Sequence, residues 1–257
     1  MNELVAANLS IEADGKALVT GASVSLRGGE LVAVLGPNGA GKTTLVRALA
    51  GALVPATGSV ALDGAAVAEL PAATRARRLA YLPQHRPLAW PNPVRDVVAL
   101  GRYAHGGTVG RLGEADRRAV NAAIQACDLA GFEDRACDTL SGGELARVHL
   151  ARALAAEAPM LLADEPMAAL DPRQQFRMAS HLRGFVDAGG GALVVLHDIA
   201  LAARIADRLV VMRDGRVVAD GMPRAILTER LVADVYGVRA HLVENGDHVD
   251  VHIESAL

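Results

Sequence analysis

The chain has 257 residues, 51% of them hydrophobic and 21% charged, with a formal net charge of -3. That is enough chain to bury a sizeable core, and the balance lacks the basic footprint of a protein that grips nucleic acid. No apolar run approaches the roughly 20 residues that cross a bilayer, and the start, MNELVAANLSIEADGK, has acidic residues and no long apolar core, unlike a secretory signal. The two cysteines, Cys127 and Cys137, have no CxxC spacing and read as reduced thiols of a cytosolic protein.

In chain order, the segments Leu4 to Ile11 and Ala17 to Leu26 alternate as strands do, with a turn expected at Asp14-Gly15. The run 31–35 is short, fully apolar and followed by glycine, as in a buried parallel strand, and a helical pattern follows over 42–51. Strand character returns at 59–62, with a turn at Asp63-Gly64, and again at 79–82. From about Pro87 to Leu140 strand signals vanish, and helical periodicity appears over 94–101 and 115–127. Helix and strand then alternate: helix 142–157, strand 160–163, helix 173–188, strand 192–196. A short helix is expected near 228–236, then a hairpin of 240–243 and 249–253 turned at Asn245-Gly246. The sum is an α/β chain with a mostly parallel sheet, an antiparallel N-terminal β portion and a helical insert. One domain fills 1–257, with its core in 1–86 and 141–257 and a helical subdomain over 87–140.

Three segments carry chemistry. Gly36-Pro37-Asn38-Gly39-Ala40-Gly41-Lys42-Thr43-Thr44 fits the phosphate-loop pattern GxxxxGK[ST] and stands between an apolar strand and a helix, the context that pattern requires. Glycines let successive backbone N–H groups curl around phosphate oxygens at the positive end of the helix. Lys42, one of two lysines in the chain, is placed to reach the β- and γ-phosphates of ATP, and the Thr43 hydroxyl to ligate Mg²⁺. Asp164 and Glu165 end an apolar strand. Asp164 suits the shell of the Mg²⁺ ion, and Glu165 suits the water that attacks the γ-phosphate. Ser141-Gly142-Gly143, at a helix start, forms a second phosphate-ready N-terminus. One chain has no use for two such sites on one γ-phosphate; a second copy does.

Leu140-Ser141-Gly142-Gly143-Glu144 resembles the LSGGQ signature of the ATP-binding cassette family, with Glu144 in the final place, and the likeness runs from about Leu4 to Val243. The resemblance implies a P-loop ATPase fold and a head-to-tail homodimer in which one subunit's signature covers the nucleotide of the other. It implies roles for three further residues: Gln84 as the glutamine that senses Mg²⁺, Asp171 as the aspartate that crosses the dimer interface, and His197 as the switch histidine near the γ-phosphate. Family members stack adenine on an aromatic where this chain has Ala13, and no Phe, Tyr or Trp precedes Tyr81.

Only about a hundred positions separate Lys42 from Ser141, too few for the long coiled coil of DNA-repair cassettes. The chain carries one cassette, whereas translation-type members carry two, so an importer subunit is expected and a soluble ATPase acting on nucleic acid or ribosomes is the alternative. The segment from Val94 to His105 and the ending 227–238 resemble importers for ferric siderophores, haem and cobalamin. The resemblance implies integral membrane permease partners, indirect work with a periplasmic or surface substrate-binding protein, no nucleic-acid partner, and a peripheral position on the cytoplasmic face of the inner membrane. The proline-rich stretch 85–93 holds the only tryptophan, Trp90. A permease is expected to dock against Pro87–Arg102, where Trp90, Arg95 and Arg102, with Arg86 nearby, suit an interface; a buried salt bridge at Arg102 would instead make its loss a folding defect. His241, His248 and His252 read as a solvated face.

Overall fold

The computed structural model describes residues 2–13, 15–86, 88, 91–246 and 248–257. The expected turn residue Asp14 and the loop residues Pro87, Ala89 and Trp90 lie outside the described residues. The strands are β1 (Glu3–Ala13), β2 (Lys16–Arg27), β3 (Leu31–Leu35), β4 (Thr57–Leu62), β5 (Ala65–Ala66), β6 (Leu79–Leu82), β7 (Met160–Ala163), β8 (Gly191–Val195), β9 (Arg208–Arg213), β10 (Arg216–Gly221), β11 (Val238–Asn245) and β12 (His248–Ala256). The helices are α1 (Lys42–Leu49), α2 (Ala72–Ala76), α3 (Val94–Ala99), α4 (Glu114–Ala126), α5 (Gly142–Leu154), α6 (Pro172–Asp187), α7 (Ile199–Ile205), α8 (Pro223–Ile226) and α9 (Glu229–Tyr236).

Two large sheets form the core, and the C-terminal hairpin β11–β12, turned at Asn245-Gly246 as expected, packs Ala240, Val249 and Val251 against it. The N-terminal one has the order β2-β1-β4-β5 and is antiparallel. Leu4, Ala6, Leu9 and Ile11 of β1 are buried on its inner face. The second has the order β10-β9-β3-β8-β7-β6. Its five strands from β9 to β6 are parallel, and β10 returns antiparallel on the edge. Strands β3, β7 and β8 are buried at every position, as parallel strands covered on both faces must be, and this is why they read as unbroken apolar runs.

Between β6 and β7 the chain is helical, as expected. Val97, Val98, Val120, Ala123, Ile124, Val148 and Leu150 of α3, α4 and α5 join one buried cluster. Cys127 and Cys137 sit in it as free thiols; burial pushes the Cys127 thiol up to about 12, which keeps it inert.

The structure differs from the sequence reading in two places. The chain between 199 and 221, for which no element was expected, forms α7 and the hairpin β9–β10 turned at Asp214-Gly215. Strand β9 carries the apolar run Leu209-Val210-Val211-Met212, fully buried between β3 and β10, a signal of the same kind as that of β3 that the sequence reading passed over. Arg102 is not a surface residue. It is 4% exposed; its Nε donates to Asp116 Oδ1 at 2.9 Å and its Nη1 to Glu157 Oε2 at 2.7 Å and to the Ala155 carbonyl at 2.8 Å. It ties the turn after α3 to α4 and to the end of α5, and it has no free face for a partner. Arg95 is exposed and pairs with Asp134.

Candidate nucleotide site

Strand β3 delivers the chain to the carboxyl edge of the parallel sheet, where the loop 36–41 turns into α1. Gly41 holds φ 95° as the residue before α1, and a Cβ there would stand 2.6 Å from the Leu18 carbonyl of β2, so only glycine fits under that strand. No side chain caps α1, which leaves its first N–H groups to whatever enters the loop. Lys42 is buried; its Nζ donates to the carbonyls of Gly36 at 2.7 Å and Pro37 at 2.9 Å. Burial pulls its ammonium down from the ordinary lysine value, while Glu165 and Asp164 pull it back.

An open cleft of about 240 Å³ is lined by Leu18, by 38–44 and by Glu165. It unites the phosphate loop with the carboxylate at the end of β7. Next to it, the Thr43 Oγ1 donates to Asp164 Oδ1 at 3.1 Å. Asp164 is fully buried and its Oδ2 has no partner. Burial raises its carboxyl above the ordinary aspartate value, with the Thr43 contact opposing. A buried carboxylate oxygen left unpaired beside a threonine hydroxyl is a hard-oxygen donor set, and it fits Mg²⁺.

Glu165 sits in the left-handed region, φ 49°, just past the end of β7. Its two carboxylate oxygens are held apart: Gln84 Nε2 donates to Oε2 at 2.6 Å, and His197 Nε2 lies 2.6 Å from Oε1. Gln84 follows β6 and His197 follows β8, the two neighbours of β7 in the sheet. Adjacent parallel strands therefore bring three residues from distant positions together at one edge. Arg86 completes this arrangement: its Nε donates to the Pro83 carbonyl at 2.6 Å and its Nη2 to the Glu165 carbonyl at 3.4 Å.

The signature residues stand apart from the cleft. Ser141 is the N-cap of α5, and Ser141 and Glu144 form a reciprocal capping box: the Glu144 N–H donates to Ser141 Oγ at 3.3 Å, and the Ser141 N–H to Glu144 Oε2 at 2.8 Å. Ser141 and Gly142 are exposed, whereas Gly143 is buried, and a Cβ on Gly143 would meet the Gln174 side chain at 2.7 Å. Asp171 is exposed and caps α6, its Oδ1 accepting from Gln174 N–H at 2.8 Å. None of Ser141, Gly142, Gly143, Glu144 and Asp171 lines the cleft around Lys42.

Leu18 escaped the sequence reading, and Arg86, expected with the permease face, instead reaches the Pro83 and Glu165 carbonyls. Leu18 is 37% exposed and lines the phosphate cleft, whereas Ala13 does not. Arg86 follows Gln84 by two positions, a proximity that signals a role only once its contacts are seen. Of the C-terminal histidines, His241 and His252 are paired across β11–β12, with His241 Nδ1 2.9 Å from Glu229, yet among the described residues no group of three or more His, Cys, Asp and Glu side chains is placed to hold a metal.

Comparison with known proteins identifies the family. The ABC transporter family profile matches residues 19–168. The hemin import ATP-binding protein HmuV of Streptomyces coelicolor is 43% identical over 231 residues, covering 90% of this chain and 82% of that protein. HmuV of Pseudomonas aeruginosa is 44% identical over 236 residues, covering 90% and 91%. Among solved structures, a chain of a metal-chelate type ABC transporter in an inward-facing conformation superposes with a TM-score of 0.84 over 100% of this chain and 98% of that one, at 23% identity, which shows the shared fold. A bacterial ABC transporter cassette solved as a dimer superposes with a TM-score of 0.75 at 25% identity, covering 86% of this chain and 99% of that one. Its phosphate loop, its paired carboxylates and its likeness to these proteins place the chain in the ABC transporter family, as an ATP-binding domain that hydrolyses ATP.

Proposed function

We propose that this chain is the ATP-hydrolysing subunit of an importer, that it acts as a head-to-tail homodimer, and that it drives uptake of a metal chelate, haem foremost, through a separate membrane permease. The observation that carries the dimer is the separation of two phosphate-ready helix ends: α1 opens onto the cleft with Lys42, while α5 presents Ser141 and Gly142 to solvent outside that cleft. A second copy turned head-to-tail lays its Ser141-Gly142-Gly143 over the first copy's γ-phosphate, with Asp171 reaching across. The haem cargo rests on the HmuV relatives, with ferric siderophores and cobalamin as the other chelates of the type.

In this reading Gly36 to Thr44 bind the phosphates, with Lys42 leaving the loop carbonyls for the β- and γ-phosphate oxygens. Thr43, Asp164 and Gln84 hold Mg²⁺, which neutralises charge on the phosphates when bound. Glu165 orients the attacking water, and His197 fixes Glu165 from the other side. The core is 1–86 with 141–257, and 87–140 is the helical subdomain that meets the permease. Its docking face includes Arg95 and two exposed apolar side chains, Leu100 at 48% and Tyr103 at 82%. Among the described residues no helix is long and apolar enough to cross a membrane. The subunit is held peripherally at the cytoplasmic face by that docking, and a substrate-binding protein delivers cargo on the far side.

The test is a deletion strain grown with haem, a ferric siderophore or an inorganic salt as sole iron source, complemented with the wild-type chain or with Tyr103→Asp. Wild type restores growth on haem, and Tyr103→Asp does not, although its ATPase activity in isolation is unchanged. Growth on haem without any copy of the chain, or co-purification with ribosomes and not with an integral membrane protein, contradicts the proposal.

A further inference from the structure

Glu165 occupies a costly conformation. A non-glycine residue in the left-handed region is strained by about 1–3 kcal/mol and persists only where its surroundings fix it. Its side chain is fixed by Gln84 and His197. Its main chain is approached by the half-buried Arg86, whose guanidinium bridges two carbonyls, that of Pro83 just before Gln84 and that of Glu165 itself. One planar fork therefore ties the segment carrying Gln84 to the backbone of the residue Gln84 touches. The guanidinium pays for its burial without a paired carboxylate among the hydrogen bonds given above: its neighbours are Arg152, which repels it, and Asp164, which attracts it. A half-buried cation whose donors go to two active-site carbonyls is placed there for those carbonyls.

We infer that Arg86 is a positioning residue for ATP hydrolysis: it locks the left-handed turn at Glu165 to the Gln84 segment, so that the carboxylate is aimed only when that segment is in place. The inference rests on the reading that Glu165 orients water. It gives the segment after Gln84 a main-chain route to the carboxylate, separate from the Gln84 side chain. A partner that displaces Arg86 moves through it the backbone of Glu165. Lysine cannot replace it, because one ammonium lacks the fork that spans both carbonyls.

The experiment is a double-mutant cycle on the purified full chain with Arg86→Ala, Arg86→Lys, Glu165→Gln and Arg86→Ala/Glu165→Gln. Steady-state and single-turnover ATPase, equilibrium ATP binding and thermal midpoints are measured on each. Arg86→Ala is expected to lower kcat by about 10- to 100-fold, the range for losing hydrogen bonds from a charged donor. Its ATP affinity stays within twofold, and Arg86→Lys recovers less than a third of the lost turnover. The double variant is no slower than Glu165→Gln alone, because Arg86 acts through Glu165. Losses that multiply in the double variant, a fall in ATP affinity matching the fall in kcat, or full rescue by lysine overturn the positioning role and leave the Glu165 reading standing. Near-normal turnover of Glu165→Gln overturns that reading and this one with it. If Arg86→Ala does not fold, Arg86→Gln takes its place in the cycle.

Discussion

His197 Nε2 stands 2.6 Å from Glu165 Oε1, joining the ends of two adjacent parallel strands. The imidazole holds one carboxylate oxygen while Gln84 holds the other, so the carboxylate is oriented before any nucleotide arrives. His197→Ala is therefore expected to lower ATP turnover by about 100-fold, the scale of a lost positioned group, while equilibrium ATP affinity stays within threefold. Parallel assays of turnover and binding check it. An affinity loss as large as the turnover loss would assign His197 to holding nucleotide.

The base has no aromatic platform in β1 or β2, and Leu18 is the apolar side chain beside the phosphate cleft. Apolar contact does not read hydrogen-bond edges, so ATP and GTP are expected to bind within about fivefold of each other. Leu18→Ala should weaken both alike by about 1 kcal/mol, the scale of one partly buried aliphatic side chain. Competition binding with the two nucleotides decides it; strict adenine preference in the wild type would count against the role given to Leu18.

Arg102 separates folding from docking. Arg102 is buried while its partners Asp116 and Glu157 reach solvent, so Arg102→Ala leaves the Ala155 carbonyl without its donor and a void in the packing, and should destabilise the chain by about 2 to 3 kcal/mol. For a chain of this size that is a fall in Tm on the order of 10 °C. Thermal unfolding measures it. A variant with unchanged Tm but lost transport would return Arg102 to the permease face.

His149, buried on α5 with an unpartnered Nδ1, has its imidazole pulled down to about 4 by burial first, then by Arg152 and Arg86. The unfolded chain takes up this proton near pH 6.5 and the folded chain does not. Stability is thus complete above about pH 6.5 and is lost as pH falls toward 4, by about 3 kcal/mol from this one group. His149→Leu should flatten that part of the profile. Chemical unfolding of both proteins at pH 7 and pH 5 provides the comparison; equal slopes would show that His149 is protonated in the folded state.

What the sequence reveals is what local chemistry encodes. The phosphate loop is legible because a glycine turn, a lysine and a threonine must be consecutive to cradle phosphate, and Glu165 because a carboxylate after four apolar residues ends a buried strand. For Arg102 a buried salt bridge was one of two readings, but its partners were not legible: Asp116 and Glu157 lie 14 and 55 positions away and meet it only in the fold. Leu18 is hidden for a similar reason, since only the passage of β2 over Gly41 puts it beside the phosphates. The hairpin β9–β10 was legible locally, in the apolar run 209–212 and the turn Asp214-Gly215; only the place of β9 beside β3 depends on residues remote in sequence.

The account turns on Glu165 as the group that orients the attacking water. The most direct measurement is ATP hydrolysis and ATP binding by Glu165→Gln, which keeps the shape of the side chain and removes its charge. Binding is expected to stay within twofold of wild type, turnover to fall by about 100-fold or more, and the variant to accumulate as an ATP-bound dimer visible by size-exclusion chromatography. Turnover within a few fold of wild type would contradict the account at its centre.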